Sequence, residues 1–341
     1  MRTKKQPRLI DIARILDVST VTVSKALRDH PDISTEMKQR VKKIARELGY
    51  TPNFIARSLS SRRSFMIGVV VPDVAHSFFS TAIDSIYETA SQKGYEIILS
   101  VSQESPDKEI TSIKNLLSMR VDGLLVSISQ RTKDTHIYET VKKMHVPLVF
   151  FDRCIDGLNL SSVIVDDRNG AARIVEYAIG LGYDRIAHLS GYRDISIGRE
   201  RCNGYLDALR KHNIPIKDEW IIEGGFREED GYRGLKKLYE SRDMPDAIFT
   251  ANDKVALGVY DCAKELGISI PADLGIIGFG DLDFARLLSP PLTTMFQPAG
   301  YIGRKAVDLL IDEILSTEES EPQTIILQTE LKVRESITKK N

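Results

Sequence analysis

Over the first fifty residues the apolar positions recur at helical spacing. Ile10, Ala13 and Leu16 form one short stripe, and Val18-Ser19 interrupts it. A second stripe follows with Val23, Ala26 and Leu27 turned inward, and Ser19 is placed to cap its helix. His30-Pro31-Asp32 reads as a loop. Ser34 then caps a third helix carrying Val41, Ile44, Ala45 and Leu48 on one face, and Gly49 ends it. Three short helices in about 45 residues, two of them joined by a tight turn, are the pattern of a helix-turn-helix domain. In the connector that follows, Pro52 and Asn53 start a helix of about two turns, too short to be stable alone in water, so it should be ordered only by a partner.

Beyond residue 65 the period changes. Apolar runs over 67–71, 95–99, 123–127 and 148–151 read as buried strands, with amphipathic helical segments between them; Phe79, Ala82, Ile83, Ile86 and Ala90 mark the first of these. A second series is expected from 163–165 onward, with strands over 185–189, 220–223, 247–250 and 274–279. A late helix over 300–316 and one late strand over 324–331 complete the chain. Near-continuous apolar strands separated by helices indicate parallel sheets covered on both faces. The expected fold class is thus a small all-α helix-turn-helix unit followed by an α/β body of two doubly wound lobes with a cleft between them. The expected boundaries are 1–49 for the helical domain, 50–64 for the hinge helix and linker, and 65–341 for the body.

Composition narrows the function. The chain has 341 residues, of which 42% are hydrophobic and 28% charged, as in ordinary globular proteins. No run of about 18 apolar residues exists, so no spanning helix is expected. The basic N-terminus leads into Asp11 and Arg14 and lacks the apolar core of a secretory signal, so a cytoplasmic location is expected. Three widely spaced cysteines, Cys154, Cys202 and Cys262, fit a reducing compartment. The formal net charge of −1 conceals an asymmetry. Residues 1–63 hold 15 Lys+Arg and 6 Asp+Glu, a net of +9, which leaves the rest at −10. A basic unit on an acidic body suggests a polyanion partner.

The run from Asp11 to Leu27 resembles the helix-turn-helix of the LacI/GalR (lactose-repressor) family. The likeness continues through Val41 to Tyr50, Pro52-Asn53 and Ala56-Arg57-Ser58-Leu59. It then runs through Ile67 to Asp73, Phe78-Phe79, Asp122-Gly123, Asp152-Arg153, Ala251-Asn252-Asp253 and Pro290 to Thr294. The order and spacing of these motifs together make the resemblance specific. It implies a transcriptional regulator, by the family's usual mode a repressor. It would bind a near-palindromic operator as a homodimer and be controlled by a small molecule in the cleft.

Physical reading of the residues agrees. The N-terminal part of the second helix of such a motif enters the major groove. The resemblance places Thr20, Val21 and Lys25 at base-reading positions. Lys25 can donate to guanine and Val21 can touch a thymine methyl, while Ser19, Thr22 and Ser24 offer hydroxyls to phosphates. In the hinge, Asn53 and Ala56 match minor-groove positions and Leu59 matches a leucine that wedges between base pairs and kinks DNA. Ser60 stands where some relatives have lysine, and Arg8 where the family usually has a threonine cap.

For the cleft, Phe78, Phe79, Asp152, Arg201, Phe226 and Asn252 fall at carboxyl ends of strands, where small ligands bind in such folds. By resemblance Asp152, Arg201 and Asn252 hydrogen-bond the effector and Phe226 stacks on it. Asp152 and Arg201 could instead pair with each other. Gly280 occupies a position that is often aspartate in the family, so Asp281 either substitutes or the contact is lost. Ile195 and Ile197 replace polar residues of purine-binding relatives, which favours a sugar or sugar derivative.

Three other readings compete. The family's catabolite-control members answer to a phosphorylated protein co-regulator. The body alone resembles a solute-binding protein for transport, which the missing signal and the basic N-terminal unit oppose. An enzyme finds no support: Gly278-Phe279-Gly280 is only a fragment of a dinucleotide motif. The six histidines show no metal-ligand spacing, and neither a GxSxG nor a P-loop occurs, so no metal or cofactor is expected. Residues 332–341 carry no leucine heptad, so a coiled-coil tetramer is not expected.

Overall fold

The computed structural model describes residues 7–27, 29–50, 63–317 and 321–340. It divides into two compact units, Met1–Ser64 and Phe65–Asn341. The proposed hinge residues Asn53, Ala56 and Leu59 lie outside the described residues.

The first unit is three helices, α1 (Leu9–Leu16), α2 (Thr20–Leu27) and α3 (Thr35–Leu48). Their small core is Ile12, Ala13, Val23, Ala26, Val41 and Ala45. Ile12 takes the inward place expected of Ile10, which is 46% exposed. Arg8 does not leave α1 without an N-terminal cap: its backbone N–H donates to Asp11 Oδ2 at 2.8 Å. Ser19 caps α2 through Thr22 N (3.0 Å), and Ser34 caps α3 through Met37 N (3.3 Å). Gly49 ends α3 at φ 64°, a left-handed turn that costs glycine nothing.

The second unit carries two six-stranded sheets. Its strands are β1 (Met66–Val71), β2 (Glu96–Val101), β3 (Gly123–Val126), β4 (Leu148–Phe151), β5 (Ser161–Val165) and β6 (Ile186–Ser190). They continue with β7 (Ile221–Glu223), β8 (Ala247–Thr250), β9 (Gly275–Gly280), β10 (Thr293–Phe296), β11 (Thr324–Leu327) and β12 (Glu330–Lys332). The helices are α4 (Ser77–Gln92), α5 (Pro106–Ser118), α6 (His136–Lys143), α7 (Asp167–Gly180), α8 (Ser196–Lys211), α9 (Glu228–Glu240), α10 (Asp253–Leu266) and α11 (Ala299–Leu315). The first sheet runs β11-β5-β4-β3-β1-β2, all parallel, and the second β12-β10-β9-β8-β6-β7, parallel except for β12. The strands β3, β4, β6, β8 and β9 are buried along their whole length, which is why they read as unbroken apolar runs.

Three expectations are corrected. The strand near 163–165 does not open the second lobe; β5 pairs with β4 and belongs to the first sheet. The single late strand is two strands: β11 pairs with β5 in the first sheet and β12 with β10 in the second. The chain changes sheet at Gln328-Thr329, and an apolar run cannot show that its two halves pair with different partners. A further strand, β10, follows Pro290-Pro291-Leu292, beyond the expected last strand at 274–279. The lobes are therefore joined by three crossings, at Asp166, at Gln297-Pro298 and at Gln328-Thr329.

Candidate DNA-reading face and ligand cleft

In the first unit, Thr20, Val21 and Lys25 share the outward side of α2. Thr20 and Val21 are exposed and Lys25 half-buried. An exposed valine on a polar helix face gains nothing from water, so it is free for an apolar contact elsewhere. The Ser19 hydroxyl already accepts from Thr22 N and lies 2.9 Å from Thr22 Oγ1, so its first task is capping. Lys25 Nζ lies 2.9 Å from Asp32 Oδ2, the oxygen that His30 Nδ1 also approaches at 3.3 Å. Lys42 holds Asp29 in the same way, at 2.6 Å. Hydrogen bonds from Lys42 and Lys25 keep the Asp29 and Asp32 carboxyls below the usual carboxylate range. The loop between α2 and α3 thus neutralises two lysines of the basic unit.

In the second unit, His76, Phe78, Phe79, Asp152, Arg201, Phe226 and Asn252 converge on one inner pocket between the lobes, whose volume is about 30 Å³. That is room for little more than a water molecule. Phe226 is seated because Gly191 has no side chain: a Cβ there would lie 2.0 Å from the ring. Asp152 sits at φ 62°, a conformation uncommon for a non-glycine residue and frequent at functional sites. Burial pushes its carboxyl above the ordinary value.

Two of the expected ligand-binding groups are committed to the protein itself. Arg201 does not pair with Asp152. Its Nε donates to Asp167 Oδ1 at 2.8 Å, its Nη1 to Ala251 O at 2.7 Å, and its guanidinium lies over the Phe279 ring. Asn252 caps α10 through Val255 N at 2.9 Å, and its Nδ2 donates to Phe226 O at 3.0 Å. Asp281 lines a cavity beside Gly280 and Phe78. Its carboxylate turns to Arg334 Nη2 at 2.6 Å, and Asp253 instead holds Leu282 N and Thr294 Oγ1 near Gly280.

Outside the inner pocket, and sharing His76, Phe79, Arg153 and Phe226 with it, lies a cavity of about 510 Å³. This is the size of an ordinary small-molecule site. Arg153, Glu104, Gln130 and Lys254 line it; of these the sequence marks only Arg153, as part of the Asp152-Arg153 motif and not as a ligand-binding residue. The Arg153 guanidinium lies over both Phe79 and Phe226, one from each lobe, with its carbon 5.6 and 5.3 Å from the ring centres. Its Nη1 donates to Glu104 at 3.0 Å and to Ile128 O at 3.3 Å. His76 caps α4 through Phe78 N, and burial pulls its pKa down to about 3, so it is neutral. The rim is tied across the lobes by Arg131 to Tyr192 (2.9 Å) and Lys133 to Asp194 (2.9 Å). Among the described residues no group of three or more His, Cys, Asp or Glu could hold a metal ion, and no described helix is long and apolar enough to cross a membrane.

Residues 8–53 match the model for bacterial regulatory proteins of the lacI family, and residues 64–335 match that for periplasmic binding proteins and the sugar-binding domain of the LacI family. The chain is 32% identical to catabolite control protein A of Priestia megaterium over 96% of this chain and 98% of that protein. It is 34% identical to the transcriptional repressor CytR of Escherichia coli K12 over 92% of each. Among solved structures, the lac repressor dimer bound to operator and an anti-inducer matches with a TM-score of 0.87 and 27% identity, over 98% of this chain and all of that one. A complex of the regulator CelR with cellobiose matches with a TM-score of 0.75 and 27% identity over 97% and 99%.

Proposed function

The chain belongs to the LacI family of bacterial regulatory proteins, and on that premise we propose that it is a transcriptional repressor whose operator affinity is set by a small molecule bound between the lobes of its second unit. The observation that carries this reading is the coexistence of two sites in one chain. One is a helix-turn-helix with Thr20, Val21 and the half-buried Lys25 on the outward side of α2. The other is an interlobe cleft floored by Asp152, Arg201 and Asn252 and walled by Phe79 and Phe226.

On this reading α2 enters the major groove. Lys25 and Val21 read base edges, and Ser19, Thr22 and Ser24 position the helix on phosphates. Two copies bind a near-palindrome, because a two-fold dimer presents the same helix twice. Asn53, Ala56 and Leu59 act in the minor groove, with Leu59 as the wedge. Residues 1–49, 50–64 and 65–341 serve as reading domain, hinge and effector-binding body. In the cleft Phe78, Phe79 and Phe226 cover the apolar face of the effector and Asp152 accepts from its hydroxyls. Arg201 and Asn252 act mainly by fixing the floor, and Asp281, bonded to Arg334, lines a neighbouring cavity with Phe78 and Gly280. Effector and operator are coupled reciprocally, by about 1–3 kcal/mol in such systems.

The test is fluorescence anisotropy of the full chain on a selected operator duplex, with and without sugars. A compound that shifts the midpoint at least about fivefold supports the proposal. Operator affinity that no cleft ligand changes contradicts it.

A further inference from the structure

Along one edge of the interlobe cleft, four polar contacts lie in a row among the described residues. The loops after β3 and β4 supply the first lobe's side, and residues 192–199 supply the second lobe's. Arg131 Nη2 donates to Tyr192 Oη at 2.9 Å with its guanidinium over that ring, and Lys133 Nζ lies 2.9 Å from Asp194 Oδ2. Cys154 N donates to Ser196 Oγ at 3.2 Å, and Arg199 Nη2 donates to Asp156 Oδ2. The order is kept, so that 131, 133, 154 and 156 meet 192, 194, 196 and 199 in turn. An exposed ion pair of this kind contributes little by itself. Contacts in a row differ, because once one has formed the next forms at high effective concentration.

The first two members stand on a loop that a buried carboxylate holds. Glu109, on α5, is wholly buried. It accepts from Ser129 N, from Thr132 Oγ1 at 2.9 Å and from Tyr138 Oη at 2.6 Å. Ser129 and Thr132 bracket Arg131, and Tyr138 lies on α6, where the loop ends. All three donors belong to the first lobe, and a carboxylate shut away from water needs such partners. The same loop carries Gln130, which lines the cavity of about 510 Å³, so its placement bears on the cleft.

We propose that this row is a clasp that holds the two lobes together without help from a ligand, and that Glu109 is the positioning residue that keeps Arg131 and Lys133 within reach of the second lobe. The inference goes beyond the regulatory role proposed above, because it concerns how the lobes part and needs neither effector nor operator.

Cys154 reports on the clasp, since its N–H belongs to the row. Burial pushes its thiol up to about 11, so it reacts slowly with an alkylating agent while the lobes are together. Cys202 and Cys262 are buried within the second lobe and report on unfolding. The experiment is alkylation of the full-length protein by iodoacetamide at about pH 8, with no ligand or DNA, each cysteine being followed by the mass of its peptide. Arg131→Ala with Lys133→Ala is expected to speed Cys154 about fivefold or more and to leave Cys202 and Cys262 unchanged. Glu109→Gln sets an amide N–H against the loop's donors and is expected to speed Cys154 to a similar extent. Added to the double variant, it is expected to change the rate by less than about twofold, since the members it positions are already gone. In about 1 M NaCl the wild type is expected to approach the double variant.

A Cys154 rate in the double variant within about twofold of wild type shows that the row is no clasp. Speeding of all three cysteines alike by Glu109→Gln makes that residue a support of the fold alone and overturns its positioning role. A full further increase on top of the double variant overturns it as well. Should Glu109→Gln fail to fold, Thr132→Val, which removes one donor, is read by the same three rates. Speeding of Cys154 alone is then expected, and no change overturns the role of Glu109.

Discussion

Arg201 Nε donates to Asp167 Oδ1 at 2.8 Å, and this buried pair ties the floor of the cleft to the first crossing between the lobes, one residue after Asp166. Burial outweighs the attraction of Arg201 and pushes the Asp167 carboxyl up to about 6. The arginine is thus part of the framework on which the ligand-facing groups stand.

Arg201→Ala should therefore destabilise the second unit by about 3–5 kcal/mol at pH 7, because it strands a buried carboxylate. Arg201→Ala combined with Asp167→Ala should recover part of that loss. Urea denaturation measures both. A single variant within about 0.5 kcal/mol of wild type would show that the pair is not structural.

Much of this arrangement was legible in the sequence. The strand–helix rhythm foretold nine of the twelve strands closely, most plainly those buried on both faces, which read as apolar runs. Phe78, Phe79, Asp152, Phe226 and Asn252 do meet in one pocket. The sheet to which β5 and β11 belong was not legible, because pairing partners leave no mark on local pattern. Nor were Glu104 and Gln130, which lie in loops after β2 and β3; Glu104 accepts from both Gln130 N and Arg153, which follows β4. Polar residues in separate loops carry no periodicity, and only the fold brings them together. The bond between Asp281 and Arg334, far along the chain, was likewise not legible, because local sequence does not show a partner 53 residues away.

His188 gives a pH signature. Its ring stacks between Tyr205 and Phe249, and burial holds its pKa down to about 4. In the unfolded chain the imidazole takes its proton near 6.5. Between those values the unfolded state binds more protons, so stability falls as pH drops from about 6.5 toward 4. Asp167 and Asp253, both pushed up to about 6, act oppositely and lose stability as pH rises through that value. Comparing His188→Phe with wild type cancels those terms. The variant should gain about 2 kcal/mol relative to wild type on going from pH 7 to pH 5. A difference that does not change with pH would remove His188 as the cause.

Gly191 is a packing requirement for the ligand wall. Because a Cβ there would lie 2.0 Å from Phe226, Gly191→Ala must expel the ring from the cleft. The variant should lose effector affinity to the same extent as Phe226→Leu, and stability by about 1–3 kcal/mol. Unaltered effector titration in Gly191→Ala would mean that Phe226 does not cover the ligand.

Lys25 and Asp32 can be separated by DNA binding. Lys25→Ala should relax preference at one base pair per half-site by about 1–3 kcal/mol. Asp32→Asn frees the ammonium, now 2.9 Å from the carboxylate, for phosphates. It should steepen the salt dependence of binding to random-sequence duplex by about one unit in the log–log slope. An unchanged slope would mean that Asp32 does not restrain Lys25.

The central claim is that this chain reads a specific DNA sequence. Its most direct test is selection of the full-length protein on a random duplex library, followed by a salt titration on the winning sequence. The account predicts enrichment of a near-palindrome of two half-sites, bound with an affinity that falls steeply with salt, as the net charge of +9 over residues 1–63 requires. Recovery of no common sequence, or binding indifferent to salt, would contradict it.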